Sequence, residues 1–205
     1  MPAEQNVRRY QDLSSFRLPP GFRGRSAVAV QLWWLAQALL FRTSPQIMYA
    51  WRRWLLCRFG AKIGKDVRIR PSATITYPWK LSIGDYSWIG DDVTLYTLGE
   101  IEIGSHAVVS QRSYICAASH DPSSTSFDIF DRKITIHDEC WIATDVFVAP
   151  GVTVGRGTVV GARSSVFSDL PAGMVCVGSP AKPVRQRTTS PAQAALSVTK
   201  GAFQM

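Results

Sequence analysis

Residues 134–166 read ITIHDECWIATDVFVAPGVTVGRGTVVGARSSV, and from Ile136 every sixth residue is Ile or Val: Ile136, Ile142, Val148, Val154, Val160 and Val166. The same beat runs earlier through Ile63, Ile69, Ile75 and Leu81. It restarts at Ile83 (Ile89, Leu95, Ile101) and again at Ile103 (Val109, Ile115). All seventeen positions are Ile, Leu or Val, which supply only 44 of the 205 residues, so composition alone does not produce the pattern. A period of six fits neither the 3.6 of a helix nor the 2 of a simple strand. It fits a short strand followed by a tight bend, with one branched side chain per repeat turned inward. Three such units close a triangular coil. A coil can bury its inward side chains only against its neighbours, so several must stack.

The spacing of the restarts describes the coils further. Ile63, Ile83 and Ile103 are twenty residues apart, which is eighteen plus two at a corner, whereas Ile136 to Val154 is eighteen. Four residues after most beats stands a small or slim residue (Val67, Ala73, Ser87, Val93, Ala107, Ser113, Val146, Thr158, Ser164). The expected fold is mainly β: a parallel β-helix of about five triangular coils between Ile63 and Leu170, with an N-terminal helical extension. Residues 1–60 form that extension. Within it, 26–41 reads as one helix, and Ser44-Pro45 as the start of a second that Gly60 ends. Residues 61–187 form the coil domain, interrupted by a long loop at 121–133, DPSSTSFDIFDRK; loops of this length inside a regular scaffold are often functional. Residues 188–205 are small and polar, and are expected to be a disordered tail.

Composition excludes several classes. The four cysteines (Cys57, Cys116, Cys140, Cys176) show no paired spacing, so neither a zinc knuckle nor a disulfide framework is indicated. Free thiols and the lack of a signal-peptide pattern favour the cytoplasm. The apolar run 27–41 is shorter than the roughly 20 residues a membrane span needs. The net charge of +8 is uneven: residues 1–70 hold 13 Lys or Arg against 3 Asp or Glu, and residues 71–205 hold 10 against 12. No nucleic-acid-binding motif accompanies that charge. Two readings of the basic, Trp-bearing extension remain open, a cap over the first coil and a peripheral contact at the inner face of the membrane.

His120 stands apart among the three histidines, because it opens the one long break in the beat. Histidine is the natural proton acceptor at neutral pH, with an unperturbed pKa of about 6.5. The alternative is a histidine that only stabilises the loop. Cys116 follows an inward beat and Cys140 holds a small-residue position, so both are read as structural.

The stretches IGDDVTLYTLGEIEIGSHAVVS (residues 89–110) and ITIHDECWIATDVFVAPGVTVGRGTVVGARSSVFSDLPAGMVCVGSPAKPVR (residues 134–185) resemble the hexapeptide-repeat acyltransferases. PWKLSIGDYSWIGDDV, the SHD at 119–121 and WRRWLLCRFGAKIG narrow the match to colanic acid biosynthesis acetyltransferases. The resemblance implies a left-handed β-helix, a homotrimer with active sites between subunits, and acetyl transfer from acetyl-CoA to a sugar or lipid-linked saccharide hydroxyl, without a metal. It implies His120 as the general base and the Thr144 amide as the oxyanion donor. Ala162, Lys182 and Arg185 would lie along the coenzyme A arm and phosphates, and Trp141 would wall the site. The chain departs from the family's sugar enzymes at Phe167-Ser168, where a Thr-Lys pair is common. It departs again at Gly90 and Leu98, where acceptor-binding Asn and Asp are expected. Asp92 and Tyr96 are the remaining acceptor candidates. The rival readings are an acetyltransferase acting on an antibiotic or other small hydroxyl compound, a γ-class carbonic anhydrase, and a non-catalytic trimeric scaffold. The carbonic anhydrase pattern of two zinc-binding histidines five residues apart does not occur here.

Overall fold

The structure, a computed structural model, describes residues 9–188. The tail expected at 188–205 therefore falls outside the described residues except for Thr188. Two helices, α1 (Ala27–Ala36) and α2 (Tyr49–Arg58), precede a stack of triangular turns. The first turn is β1 (Lys62–Ile63), β2 (Arg68–Ile69) and β3 (Thr74–Ile75). The second is β4 (Leu81–Ile83), β5 (Trp88–Ile89) and β6 (Thr94–Tyr96), and the third is β7 (Ile101–Ile103), β8 (Val108–Val109) and β9 (Tyr114–Cys116). A hairpin, β10 (Ala118–His120) and β11 (Ile129–Asp131), then leaves the stack. The fourth turn is β12 (Ile134–Ile136), β13 (Trp141–Ile142) and β14 (Phe147–Val148), and the fifth is β15 (Thr153–Val154), β16 (Val159–Val160) and β17 (Ser165–Val166). A sixth is begun by Leu170, bridged to Val154, and by β18 (Met174–Gly178), against which β19 (Ala181–Gln186) folds back antiparallel.

Each face of the triangle is a parallel sheet, in the orders β1-β4-β7-β12-β15, β2-β5-β8-β13-β16-β18-β19 and β3-β6-β9-β14-β17, with β19 antiparallel. The register stacks the beat residues into columns. Ile63, Ile83, Ile103, Ile136 and Val154 form one, and Ile75, Leu95, Ile115, Val148 and Val166 another. The third column, Ile69, Ile89, Val109, Ile142 and Val160, ends on Cys176, which continues it in the unfinished turn. Every beat residue is at most 6% exposed, and the nine slim corner residues are at most 2% exposed. Branched side chains suit this pleated, fully buried position.

At the corners the chain adopts positive φ at ordinary residues: Asp66, Tyr86, Asp92, His106, Arg112, Glu139, Asp145 and Arg163. That conformation disfavours side chains with a Cβ. Here it is held by bonds between successive coils: the amides of Tyr86, His106, Arg112, Asp145 and Arg163 each donate to the carbonyl of a corner residue one coil earlier.

The two helices close the open first coil by hydrogen-bonding all three of its edge strands. Arg53 Nε donates to the carbonyls of Ile63 and Gly64, and Arg52 Nε to that of Ile69 at 2.7 Å. Trp33 Nε1 donates to the Ile75 carbonyl at 2.8 Å, and Gln37 accepts from the Ile75 amide at 2.8 Å. Trp33, Phe41, Leu55 and Leu56 continue the coil core. An unprotected edge is a template for strand pairing, and this cap removes it.

Two details differ from the sequence expectation. Ser44-Pro45 does not start α2, whose first residue is Tyr49 and whose N-cap is Met48. The Ser44 hydroxyl instead donates to Phe41 and accepts from Arg52, so the segment serves as an anchor for a buried guanidinium. The break at 121–133 is not an open loop, because its flanks pair as β10 and β11.

Candidate active site

His120 ends β10, opposite Ile129 of β11, at the corner where the third face returns to the first. The turn between them is held from within. The Asp121 amide donates to the Asp128 carbonyl at 2.8 Å, and the Asp121 carboxylate accepts from the Ser123 hydroxyl and amide. The Asp128 carboxylate accepts from the hydroxyls of Ser126 and Ser124. Those serine bonds hold both carboxyls below their usual pKa, so the turn carries two stable charges. The N-terminal lead-in also reaches it: the Asp12 amide donates to the Thr125 carbonyl at 2.6 Å.

The imidazole of His120 is half-buried and tightly oriented. Its ring stacks on Phe127 at 3.8 Å between centroids and 12° between planes, with Phe16 tilted at 6.0 Å on another side. Nδ1 lies 2.7 Å from the Phe127 carbonyl oxygen. A carbonyl can only accept, so Nδ1 carries a proton, and in the neutral ring it is Nε2 that presents the lone pair. Phe127 reaches this position in a left-handed conformation, φ 56°. Tyr96, half-buried, packs with Ala118 and Ile129 at the base of the hairpin, and burial pushes its hydroxyl pKa up. Next to it Tyr114 is pushed up to about 12, again by burial. The structure thus gathers His120 and Tyr96 at one corner.

Thr144 and Ala162 occupy a different corner, between the second and third faces, on consecutive coils. The Thr144 hydroxyl donates to the Gln111 carbonyl at 3.0 Å. The amides around it are engaged: Ala143 with Val160, Asp145 with Gln111, and Val146 with the Ser113 hydroxyl. Those of Thr144 and Ala162 meet no acceptor among the described residues. At the opposite corner, by contrast, the corresponding amides of Lys65, Asp85 and Ser105 are covered by Asp85, Ser105 and Asp138 side chains. Above Ala162, the Gly178 amide donates to the Ser164 hydroxyl, which sets the β18–β19 turn over the same corner, and Lys182 pairs with Val177 beside that turn. Arg185 pairs with Val175, in the register column that runs through Val159 to Trp141. The Trp141 indole donates to the Ser110 hydroxyl at 3.0 Å. Below it, a groove of about 360 Å³ is lined by Trp88, Gly90, Ser110 and Gln111.

Asp92 sits at this second corner, two coils below Thr144, and not beside His120. Sequence reading overlooked Arg112 and Arg163, which flank the Thr144–Ala162 line. Arg112 makes a two-bond pair with Asp145 at 2.7 and 2.8 Å, and Arg163 lies 3.9 Å from it. Long basic side chains at a positive-φ corner position were the available signal. The remaining histidines lie elsewhere: His106 stacks on Tyr86, and His137 is exposed at the first corner. The Cys116 thiol donates to the Ala118 carbonyl and that of Cys140 to Gly155, and burial raises both, Cys140 to about 11. Thiols this protonated are poor nucleophiles. No cluster of His, Cys, Asp or Glu able to hold a metal occurs among the described residues.

His120 and the unengaged Thr144 and Ala162 amides thus stand at different corners of one chain, separated by the whole third face.

No protein-family model matches the chain. The "Putative colanic acid biosynthesis acetyltransferase WcaF" of Escherichia coli (strain K12) is 64% identical over 177 residues, covering 86% of this chain and 97% of that protein. A hexapeptide-repeat acetyltransferase from Vibrio cholerae O1 biovar eltor, solved in complex with acetyl coenzyme A, superimposes with a TM-score of 0.72. It is 26% identical, covering 81% of this chain and 92% of that one. A maltose O-acetyltransferase from Clostridium difficile 630 also superimposes with a TM-score of 0.72, at 23% identity over 80% of this chain and 90% of that one, a likeness of fold.

Proposed function

The chain belongs to the hexapeptide-repeat acetyltransferases, left-handed β-helix enzymes, and from that membership we propose that it moves an acetyl group from acetyl-CoA to a sugar hydroxyl in exopolysaccharide assembly, with His120 as general base. The observation that carries the reading is the 2.7 Å contact between His120 Nδ1 and the Phe127 carbonyl. It leaves Nε2 as a basic lone pair on an oriented ring, the state a general base needs. His120 takes the proton of the acceptor hydroxyl as that oxygen forms its bond to the acetyl carbon. The Thr144 N–H stabilises the negative charge that collects on the carbonyl oxygen. His120 then returns the proton to the departing sulfur as the C–S bond breaks. Acetyl-CoA supplies the acetyl group as an activated thioester. The unengaged amide of Ala162 fits its thin amide-bearing arm, and Lys182 and Arg185 fit its phosphates.

The separation of His120 from Thr144 and Ala162 supports a second element of the reading. One copy contributes His120 and a neighbouring copy contributes Thr144, Ala162 and Lys182, so the working unit is an oligomer, as a cyclic trimer would provide. Asp92 lies on the amide side of such an interface and Tyr96 on the histidine side, where both remain acceptor contacts of this proposal.

The test follows thiol release from acetyl-CoA in the presence of saccharide acceptors. His120→Ala is expected to lower kcat by roughly 10²- to 10⁴-fold, with the KM for acetyl-CoA within about threefold. Acceptor-dependent turnover that stays near the wild-type rate after the substitution overturns the assignment of the base. Mass spectrometry of polysaccharide from a strain lacking the protein identifies the acceptor, and unchanged acetylation there overturns the pathway.

A further inference from the structure

The cap has two apolar sides, and only one of them is used. On the inner side of α1, Val30, Trp33 and Ala36 are buried against the coils or the lead-in. On the outer side, Val28, Leu32 and Leu35, spaced i, i+4, i+7, lie in one stripe, continued by Leu39 and Leu40 in the wider helical turn that follows. These five are between 47% and 68% exposed. A helix that is apolar on both sides belongs between two non-aqueous partners. The stripe continues onto α2: the Trp51 indole donates to the Leu40 carbonyl at 3.0 Å and stacks on Trp54 at 5.0 Å. Ile47, Met48 and Trp54 are exposed beside it. Soluble proteins rarely leave so continuous a patch to water.

Charge says what covers it. Residues 13–65 contain nine Lys or Arg and no Asp or Glu. Arg25 before α1, Arg42 after it and Arg58 at the end of α2 are all exposed. A second copy of the same face would set cation against cation. An anionic bilayer answers both features, taking the leucines and tryptophans into its interfacial layer and the arginines among its headgroups. No helix among the described residues is long and apolar enough to cross a membrane, which leaves the pair lying along its surface.

We propose that the outer face of α1 and α2 is a docking surface for an anionic phospholipid bilayer, which holds the coils by their first-turn end at the membrane. The inference rests on no feature of the active site, so either can fail without the other.

The experiment is sedimentation of the full chain with phosphatidylcholine vesicles, with and without about one-third phosphatidylglycerol. The wild type is expected to bind the anionic vesicles. Binding should weaken as salt rises from about 0.1 M to about 1 M, where screening shortens from roughly 10 Å to 3 Å. Leu32→Glu with Leu35→Glu is expected to weaken binding by about 100-fold or more, with melting temperature, molecular mass and acetyl-CoA turnover on a soluble acceptor unchanged. Lack of wild-type binding overturns the proposal, as does equal binding to neutral vesicles. A doubly substituted protein that still binds also overturns it. So does one that changes mass in sedimentation, since the face would then cover a second copy.

Discussion

Replacing Arg52 with Met tests whether the cap is anchored by that guanidinium. The side chain is 0% exposed. Nε donates to the Ile69 carbonyl at 2.7 Å, and the terminal nitrogens donate to Ser44 Oγ at 2.8 Å and to the Pro45 and Gln46 carbonyls at 2.9 and 2.6 Å. All four acceptors are neutral oxygens, and burial lowers the guanidinium pKa, so the charge is held by dipoles. Met fills similar space but donates nothing. The Pro45 and Gln46 oxygens lie at part-buried contacts and recover water. The Ile69 carbonyl and Ser44 hydroxyl stay buried and lose this partner, at about 1–3 kcal/mol each. Relief of the buried charge returns part of that. The net loss is about 3 kcal/mol, or a fall in Tm of roughly 6–12 °C for a chain of this size. The cap and coils share one core, so the far-UV circular dichroism melt should shift as a single transition. Arg52→Lys, which keeps a charge but cannot reach four acceptors, should fall between. A Tm within about 2 °C of wild type for the Met variant would refute the reasoning.

Four other outcomes follow from the geometry. Gly90→Ala places a Cβ 2.7 Å from the Gln111 nitrogen and 3.0 Å from the Ser110 carbonyl carbon, both backbone, so the coil must shift. A loss of roughly 1–3 kcal/mol in denaturant unfolding is expected. Lys182→Ala should raise the KM for acetyl-CoA several-fold while kcat changes little, read from initial rates across acetyl-CoA concentration. The Cys140 thiol, pushed up to about 11 from a reference near 9, favours the folded state while protonated. Its contribution is complete below the unfolded value and is lost as pH rises from about 9 to about 11. Over that range the wild-type Tm should fall more steeply than that of Cys140→Ala. Finally, co-expressed His120→Ala and Thr144→Pro chains, each inactive alone, should recover activity in mixed oligomers. An inactive mixture counts against sites shared between copies.

Much of the architecture is legible in the residues because a solenoid is nearly one-dimensional. Each inward Ile or Val meets the residue one coil away, so a period in the chain becomes a column in space without long-range information. That locality is why Ile63, Ile83 and Ile103 could be aligned by counting, and why the hairpin carrying His120 announced itself as a gap. It failed where a residue answers to something off the column. Ser44 has the chemistry of an N-cap, but in the fold it receives a guanidinium eight residues on. Arg112 and Arg163 look like solvated corners until Asp145 ties them to the Thr144 line. Cys176 lies outside the six-residue count, yet it completes a column.

By itself the sequence determined the coils, their number to within an unfinished turn, the place of the break and the residue types available for chemistry. Tertiary structure decided the tautomer of His120, because that depends on a carbonyl seven residues away delivered by a positive-φ Phe127. It also decided that His120 and Thr144 stand at different corners, since a period of six records which residues point inward but not what faces what across a turn. And it decided that the cap's inner apolar side is spent on the coil edge while its outer side is left over, a division that no helical periodicity contains.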